Sequence, residues 1–215
     1  PKTDKDLKIT IKRVDKGLVS NYLHDYLKAG DKLEVDKPMG SFFIEPKKEN
    51  IKNYVLFAGG SGVTPIFSII KSVLVTEENS KVILIYANQN VESIIFHKEI
   101  ETLLEHYSNQ FSVAHILSSL NEEKDNYYSG LLSEDLLAKI FVKHDLKFED
   151  HTYMICGPFG YMEKAKELLG LNGISREKIK IEVFKAPIIK LSGKDLISNV
   201  TIKTNGQVHN IKVRG

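Results

Sequence analysis

Two short glycine-bearing segments hold the residue types whose spacing could do chemistry. Gly59-Gly60-Ser61-Gly62-Val63-Thr64-Pro65 follows an apolar run and opens an amphipathic one. Glycines let a backbone turn tightly and approach an anion without a Cβ in the way. The free N–H groups of a helix start, together with its dipole, attract a pyrophosphate. Pro65 suits a first helical turn, where its missing N–H removes no helix bond. The second segment, Cys156-Gly157-Pro158-Phe159-Gly160-Tyr161-Met162, also ends an apolar run and begins a helical one. Each has a plain reading: a glycine turn that only joins strand to helix, and a buried thiol, the usual state of a free cysteine. Two such turns in equivalent positions favour a phosphate site.

The elements that must position these turns follow from the pattern around them. Apolar strand candidates at 54–58, 82–87, 111–117, 153–156 and 178–184 alternate with helical patterns at 64–75, 91–107, 133–141 and 159–169. Strand–helix alternation with continuous apolar strands predicts a five-stranded parallel α/β sheet covered on both faces. Such sheets bind ligands beyond the carboxyl ends of their strands, where both turns should lie. Pro65 replaces the third glycine of the dinucleotide fingerprint, so the first loop is a variant of it.

The flanks read differently. Leu7, Ile9 and Ile11 alternate with polar residues, as in a half-buried strand. A helix is expected after Gly17, carrying Leu18, Val19, Tyr22, Leu23, Tyr26 and Leu27, with short strands at 32–35 and 41–44 on either side of Pro38-Met39-Gly40. At the other end, 186–196 reads as a linker, and runs at 200–204 and 208–213 flank Asn205-Gly206, a hairpin turn signal. A lone hairpin is marginal in water, so this one is expected to begin another domain.

Composition narrows the class. Of 215 residues, 42% are hydrophobic and 27% charged, which is globular rather than disordered, and a net charge of +2 offers nothing to nucleic acid or a membrane surface. The single cysteine, Cys156, precludes an internal disulfide and fits a reducing compartment, so a cytoplasmic location is expected. No apolar run approaches the roughly 18 residues of a membrane span. The seven histidines show no metal-ligand spacing, and none is assigned as a ligand. The chain lacks an initiator Met and stops at Val213-Arg214-Gly215 in mid-pattern, so it is expected to be part of a longer protein.

The two loops, in this order and context, resemble the ferredoxin–NADP reductase superfamily. Within it the chain is most similar to the reductase components of multicomponent oxygenases, especially the phenylacetyl-CoA epoxidase type, and to the reductase half of flavohaemoglobin. The resemblance implies a Rossmann-like NAD(P)H-binding domain at 51–185, preceded at 1–50 by part of an antiparallel flavin-binding β-barrel. A linker at 186–198 and the opening hairpin of a truncated [2Fe–2S] ferredoxin-like domain at 199–215 would follow. The implied cofactors are FAD, NADH or NADPH, and a [2Fe–2S] cluster only in the longer protein. The implied partners are the ferredoxin-like domain in cis and an oxygenase component.

The resemblance also assigns residues. Gly59, Gly60, Ser61, Gly62, Val63, Thr64 and Pro65, with Gly157, Pro158, Phe159 and Met162, would hold the nucleotide. Gly17, Val19 and Ser20 would start the helix at the flavin phosphates, although Ser20 would equally cap a plain surface helix. Thr64, Cys156, Glu182 and Phe184 would shape the nicotinamide–flavin pocket, with Phe184 over the ring and moving aside for nicotinamide. Asn88, Gln89 and Ser118, where NADPH-preferring relatives place arginines, carry no charge for a 2′-phosphate, so NADH is favoured, with Lys124 the nearest alternative cation in sequence. The implied chemistry is hydride transfer to flavin and single-electron release to the cluster and then the oxygenase. The family's Arg-x-Tyr-Ser flavin motif is absent, so the chain is expected to hold flavin weakly; stoichiometric FAD on the purified chain would overturn that. The competing class is a regulatory module that binds nucleotide without turnover.

Overall fold

The structure is a computed structural model describing residues 1–215 except 2–3, 36, 38, 149–150, 185–196, 205–206 and 215, with backbone alone described for 197–214. Two compact units emerge, Pro1–Lys185 and Ala186–Gly215.

The first unit is built on a wholly parallel sheet: β1 (Asn53–Gly59), β2 (Lys81–Asn88), β3 (Phe111–Leu117), β4 (Tyr127–Ser129), β5 (Thr152–Cys156) and β6 (Ile179–Glu182). Its spatial order is β4-β3-β2-β1-β5-β6. The apolar runs make both faces of β1, β2, β3 and β5 buried over most of their length. Tyr54, Leu56 and Ala58 face a core closed by α2 (Val63–Thr76) and α3 (His97–His106). Val55 and Phe57 face the opposite core, closed by α4 (Glu134–Lys143) and α5 (Phe159–Leu171). Alternate side chains leaving opposite faces require apolar residues at every position, hence the unbroken runs.

The α/β class holds, with three local differences. A sixth strand, β4, adds parallel to β3 through His115↔Tyr127 to Leu117↔Ser129. Three residues flanked by Asn126 and Gly130 carry no readable alternation. The helix expected over 91–107 is two pieces: a short turn at Val91–Ser93, then α3 from His97. Asn90 and Ser93 cap one another reciprocally and close the first turn, and Phe96 at φ 62° restarts the chain in a new direction. The strand expected over 178–184 ends at Glu182, leaving Phe184 beyond the sheet.

Residues 1–52 differ more. Helix α1 (Leu18–Tyr26) forms, but 7–11, 32–35 and the described part of 36–44 join no ladder among the described residues. A strand is a pairing rather than a local conformation, and alternation without a partner stays extended. Pro38 and the expected linker 186–196 lie outside the described residues.

In the second unit, β7 (Ile197–Thr204) and β8 (Gln207–Arg214) pair antiparallel, from Ile197↔Arg214 to Thr204↔Gln207. The Asn205-Gly206 turn itself lies outside the described residues.

Candidate functional site

The strand order places a site before any side chain is considered. The chain runs outward from β1 to β4, then returns to lay β5 on the other side of β1. Strand order reverses there, and the loops leaving β1 and β5 diverge around a crevice, the usual ligand position in open α/β sheets. Ala58 is in register with Cys156, so the two glycine segments leave the sheet side by side.

Their contact explains the glycines. A Cβ on Gly62 would lie 2.1 Å from the Cys156 carbonyl oxygen and 2.6 Å from the Gly157 nitrogen. A Cβ on Gly157 would lie 2.9 Å from the Gly59 nitrogen, and one on Gly59 would meet the Pro158 ring at 2.7 Å. Gly60 sits at φ +48°. The loops are thus pressed backbone to backbone, which no side chain permits. Two tyrosines brace them from the core. Tyr86 donates to the Gly60 carbonyl (3.0 Å) while accepting from the Ile95 N–H, and Tyr161 donates to the Ile85 carbonyl (3.0 Å).

Both helices that follow open toward this edge without a side-chain cap: α2 after Gly62 and α5 after Pro158. Helix α4 shows the contrast, because Ser133 accepts from the Leu136 N–H at its start. The Val63 N–H is taken by the Gly60 and Ser61 carbonyls, but no side chain competes for the other first-turn N–H groups or for the positive end of either helix dipole.

A cleft of about 580 Å³ lies against these starts, lined by Gly59, Gly60, Asn88, Gln89, Ser118 and Pro158 among others. Its volume suits a cofactor-sized ligand. The buried Asn88 amide nitrogen faces the Tyr86 hydroxyl without a well-aligned hydrogen bond, which leaves it donor capacity toward the cleft. A second cleft, about 670 Å³, holds Thr64, Pro65, Phe67, Phe96 and Phe184. Phe184 is 56% exposed, a bare aromatic face suited to a flat ring. The Thr64 hydroxyl donates to the Ser61 carbonyl at 3.0 Å.

Cys156 is in register with Glu182 but is itself only 1% exposed. Burial, aided by the Glu182 charge, pushes its thiol up to about 12, so it remains protonated and acts by shape rather than as a nucleophile.

The expected site residues therefore separate. Gly59, Gly60, Asn88, Gln89, Ser118 and Pro158 share the first cleft, and Thr64, Pro65 and Phe184 share the second. Ser61 and Gly157 are partly exposed between the loops, and Phe159 is half-exposed. Three assignments lie apart from the two clefts or reach them by backbone alone. Met162 is 2% exposed and packs beneath the sheet, because α5 turns this position inward with Ala165 and Leu169. Val63 is fully buried, and only its backbone can serve a ligand. Gly17, Val19 and Ser20, at the start of α1, line neither cleft; Ser20 Oγ accepts from the Val14 N–H instead.

Sequence reasoning passed over Tyr86, Tyr161, Lys12 and Ser93. Tyr161 sits inside the second loop and carries a polar tip, a signal that was available; Tyr86 reads as an ordinary strand residue. Lys12 and Lys164 line the first cleft, whereas Lys124 does not. A third cavity, about 600 Å³, opens at the amino ends of the strands around Asn53, Lys81, Gln110 and His151, and contains none of the expected residues.

The family described as the oxidoreductase NAD-binding domain matches residues 56–167, the stretch from β1 into α5. The chain belongs to that family. It is 34% identical to the ferredoxin reductase component of the 3-ketosteroid-9-alpha-monooxygenase of Rhodococcus rhodochrous, over 98% of this chain and 59% of that protein. One component of the 1,2-phenylacetyl-CoA epoxidase of Escherichia coli is 27% identical over 98% of this chain and 57% of its own length. The chain thus spans somewhat over half the length of these relatives. Among solved structures, the flavohaem-like FAD/NAD-binding domain of the nitric oxide dioxygenase of Vibrio cholerae superposes with a TM-score of 0.65 at 29% identity, covering 78% of this chain and 65% of that one. No described helix is long and apolar enough to cross a membrane.

Proposed function

We propose that this chain is the nucleotide-binding part of a flavin-dependent NAD(P)H reductase that passes electrons through FAD to a [2Fe–2S] centre and on to an oxygenase. The observation carrying this reading is the pair of helix starts without side-chain caps, pressed together at the strand-order reversal, with the Asn88 amide in the cleft beside them. In this reading the N–H groups of the Gly59–Thr64 and Gly157–Phe159 turns bind the pyrophosphate, and Asn88, Gln89 and Ser118 receive the adenosine. Thr64, Cys156 and Glu182 form the nicotinamide pocket, and Phe184 covers the ring position until nicotinamide enters. Gly17, Val19 and Ser20 are proposed to approach the flavin phosphates. FAD, when bound, accepts a hydride and releases electrons singly.

The domain assignment follows: 1–50 to the flavin domain, 51–185 to the nucleotide domain, 186–198 to a linker, and 199–215 to the start of a ferredoxin-like domain. An oxygenase is the proposed partner because two relatives are named as components of oxygenating systems. Aromatic or phenylacetate degradation is the finer proposal, resting on the epoxidase relative alone. A cytoplasmic location is part of the same proposal.

NADH is the proposed donor. Asn88, Gln89 and Ser118 are uncharged, Lys12 stands beside Gly60 on the phosphate side, and Lys164 is paired with Glu167. Equilibrium titration of the chain with NADH and NADPH tests the site. Saturable binding, tighter for NADH by about tenfold and displaced by ADP-ribose, is expected. Absence of saturable binding of either nucleotide would sink the reading, and a large NADPH advantage would remove the donor assignment.

A further inference from the structure

Helix α3 and strand β3 bring together a group that no spacing in the sequence announces. His97 and Glu101 are one helical turn apart on α3, and β3 contributes His115. One ligand atom from each lies within 4.8 Å of the others. The left-handed residue Phe96 starts α3 at His97, whose ring stands edge-on to His115 with centroids 5.9 Å apart.

His115 is the unusual member. It is fully buried, its ring stacks on Tyr127 at 4.8 Å, and neither ring nitrogen has a hydrogen-bond partner among the described residues. Buried polar groups are almost always satisfied, so an imidazole with both nitrogens idle points to something that completes it. Facing it are a second imidazole and a carboxylate, which are ligand types rather than hydrogen-bond donors of fixed charge.

We propose that His97, Glu101 and His115 form a binding site for one divalent transition-metal ion of the zinc class. Two imidazoles and a carboxylate match the N/O preference of Zn²⁺ and Co²⁺ and not the all-oxygen preference of Mg²⁺ or Ca²⁺. Zinc bonds of about 2.0–2.2 Å require ligand atoms about 3.3 Å apart, so the present set must close by roughly an ångström. Glu101 is exposed and can make that movement, His97 makes it by giving up its hydrogen bond to Tyr127, and the His97–Glu101 separation is already 3.9 Å. Water completes the coordination from the open side. The His97–Tyr127 hydrogen bond, 2.8 Å, holds the helix against β4 in the absence of metal. The ion would tie α3 to β3 behind Tyr86, whose ring lies 6.0 Å from His115 and whose hydroxyl supports Gly60. Its role is therefore structural, bracing the wall of the nucleotide cleft.

The test is calorimetric titration of the full chain with Zn²⁺, accompanied by Co²⁺ absorption spectra and thermal melting. One equivalent bound with a Kd at or below the micromolar range, a raised melting temperature, intense visible Co²⁺ bands and no response to Mg²⁺ are expected. Glu101→Gln alters an exposed side chain and should weaken Zn²⁺ at least tenfold with an unchanged metal-free melting temperature, whereas His97→Ala, which also removes the hydrogen bond to Tyr127, should weaken Zn²⁺ as much and lower the metal-free melting temperature slightly. His115→Phe, which keeps the volume, should abolish it. Absence of saturable Zn²⁺ binding to the wild-type chain would overturn the proposal and leave His115 to a buried water. Binding that survives both His97→Ala and Glu101→Gln would overturn it too, since the ion would then sit elsewhere.

Discussion

Residues 53–182 and residues 1–52 draw on the same vocabulary of alternating and clustered apolar side chains, yet they end in opposite conditions. In the first, Val55, Leu56 and Phe57 are wholly buried between two helical layers. In the second, Leu7 is 96% exposed, Ile9 71%, Val35 76% and Ile51 78%. The second region is the more charged, with 21 of its 52 residues against 30 of 130, and it also lacks the partners of the first. Every sheet strand in the first region has a ladder neighbour, and the central strands have helices above and below, so their apolar side chains leave water. The extended segments of the second have no ladder among the described residues, and their apolar side chains are not removed from water.

The border between the regions is tied by a few polar contacts. Glu77, fully buried at the end of α2, accepts from the Lys47 N–H, the Asn50 amide, the Tyr54 hydroxyl and the Ser80 hydroxyl. Lys71 pairs with Asp4 at 2.5 Å, and Lys180 donates to the Phe43 carbonyl. These contacts hold the second region in place without giving it a core.

The sharpest way to break the contrast is to delete one apolar side chain from each region. Leu56→Ala should cost about 4 kcal/mol in urea unfolding, whereas Leu7→Ala should stay within about 0.5 kcal/mol. Equal losses would mean that the second region buries its apolar residues after all. Next in size is Gly62→Ala. Its Cβ must displace the Cys156 carbonyl, so a loss of about 3 kcal/mol is expected, with nucleotide binding abolished in the same titration used above. Normal nucleotide affinity in this variant would show that the backbone contact is not needed for the site.

Glu77→Gln probes the border itself, with an expected loss of about 2 kcal/mol at neutral pH. Burial alone would raise this carboxyl, but the hydrogen bonds from Asn50, Ser80, Tyr54 and Lys47 prevail and hold it below its ordinary value of 4.5. A lowered native pKa means that the stabilisation is complete above the unfolded value and is lost as pH falls through the native one. Urea midpoints should therefore drop more steeply with acid in the wild type than in the variant. Parallel pH profiles would remove Glu77 as the source.

Much of this was legible in the chain. The apolar runs at 54–58, 82–87, 111–117 and 153–156 could belong only to strands buried on both faces, because a half-exposed strand would alternate. The glycines of both loops marked where backbone must approach closely, since no other residue type is neutral to the absence of a Cβ. Other features were out of reach because they depend on residues distant in sequence. The three residues of β4 become a strand only because β3 offers an edge. Likewise, only the fold shows that α5 turns Met162 inward and that Cys156 is closed off beneath the loops.

By itself, then, the sequence determined the α/β class, the strand-to-helix loops and the chemistry those loops can perform, because these rest on local periodicity and on backbone freedom. Tertiary structure alone decided that Gly62 meets Cys156, that Tyr86 and Tyr161 brace the turns, and that His97, Glu101 and His115 face one another. Each of those is a contact between elements far apart in the chain. Such contacts come into being only when the sheet has ordered its strands.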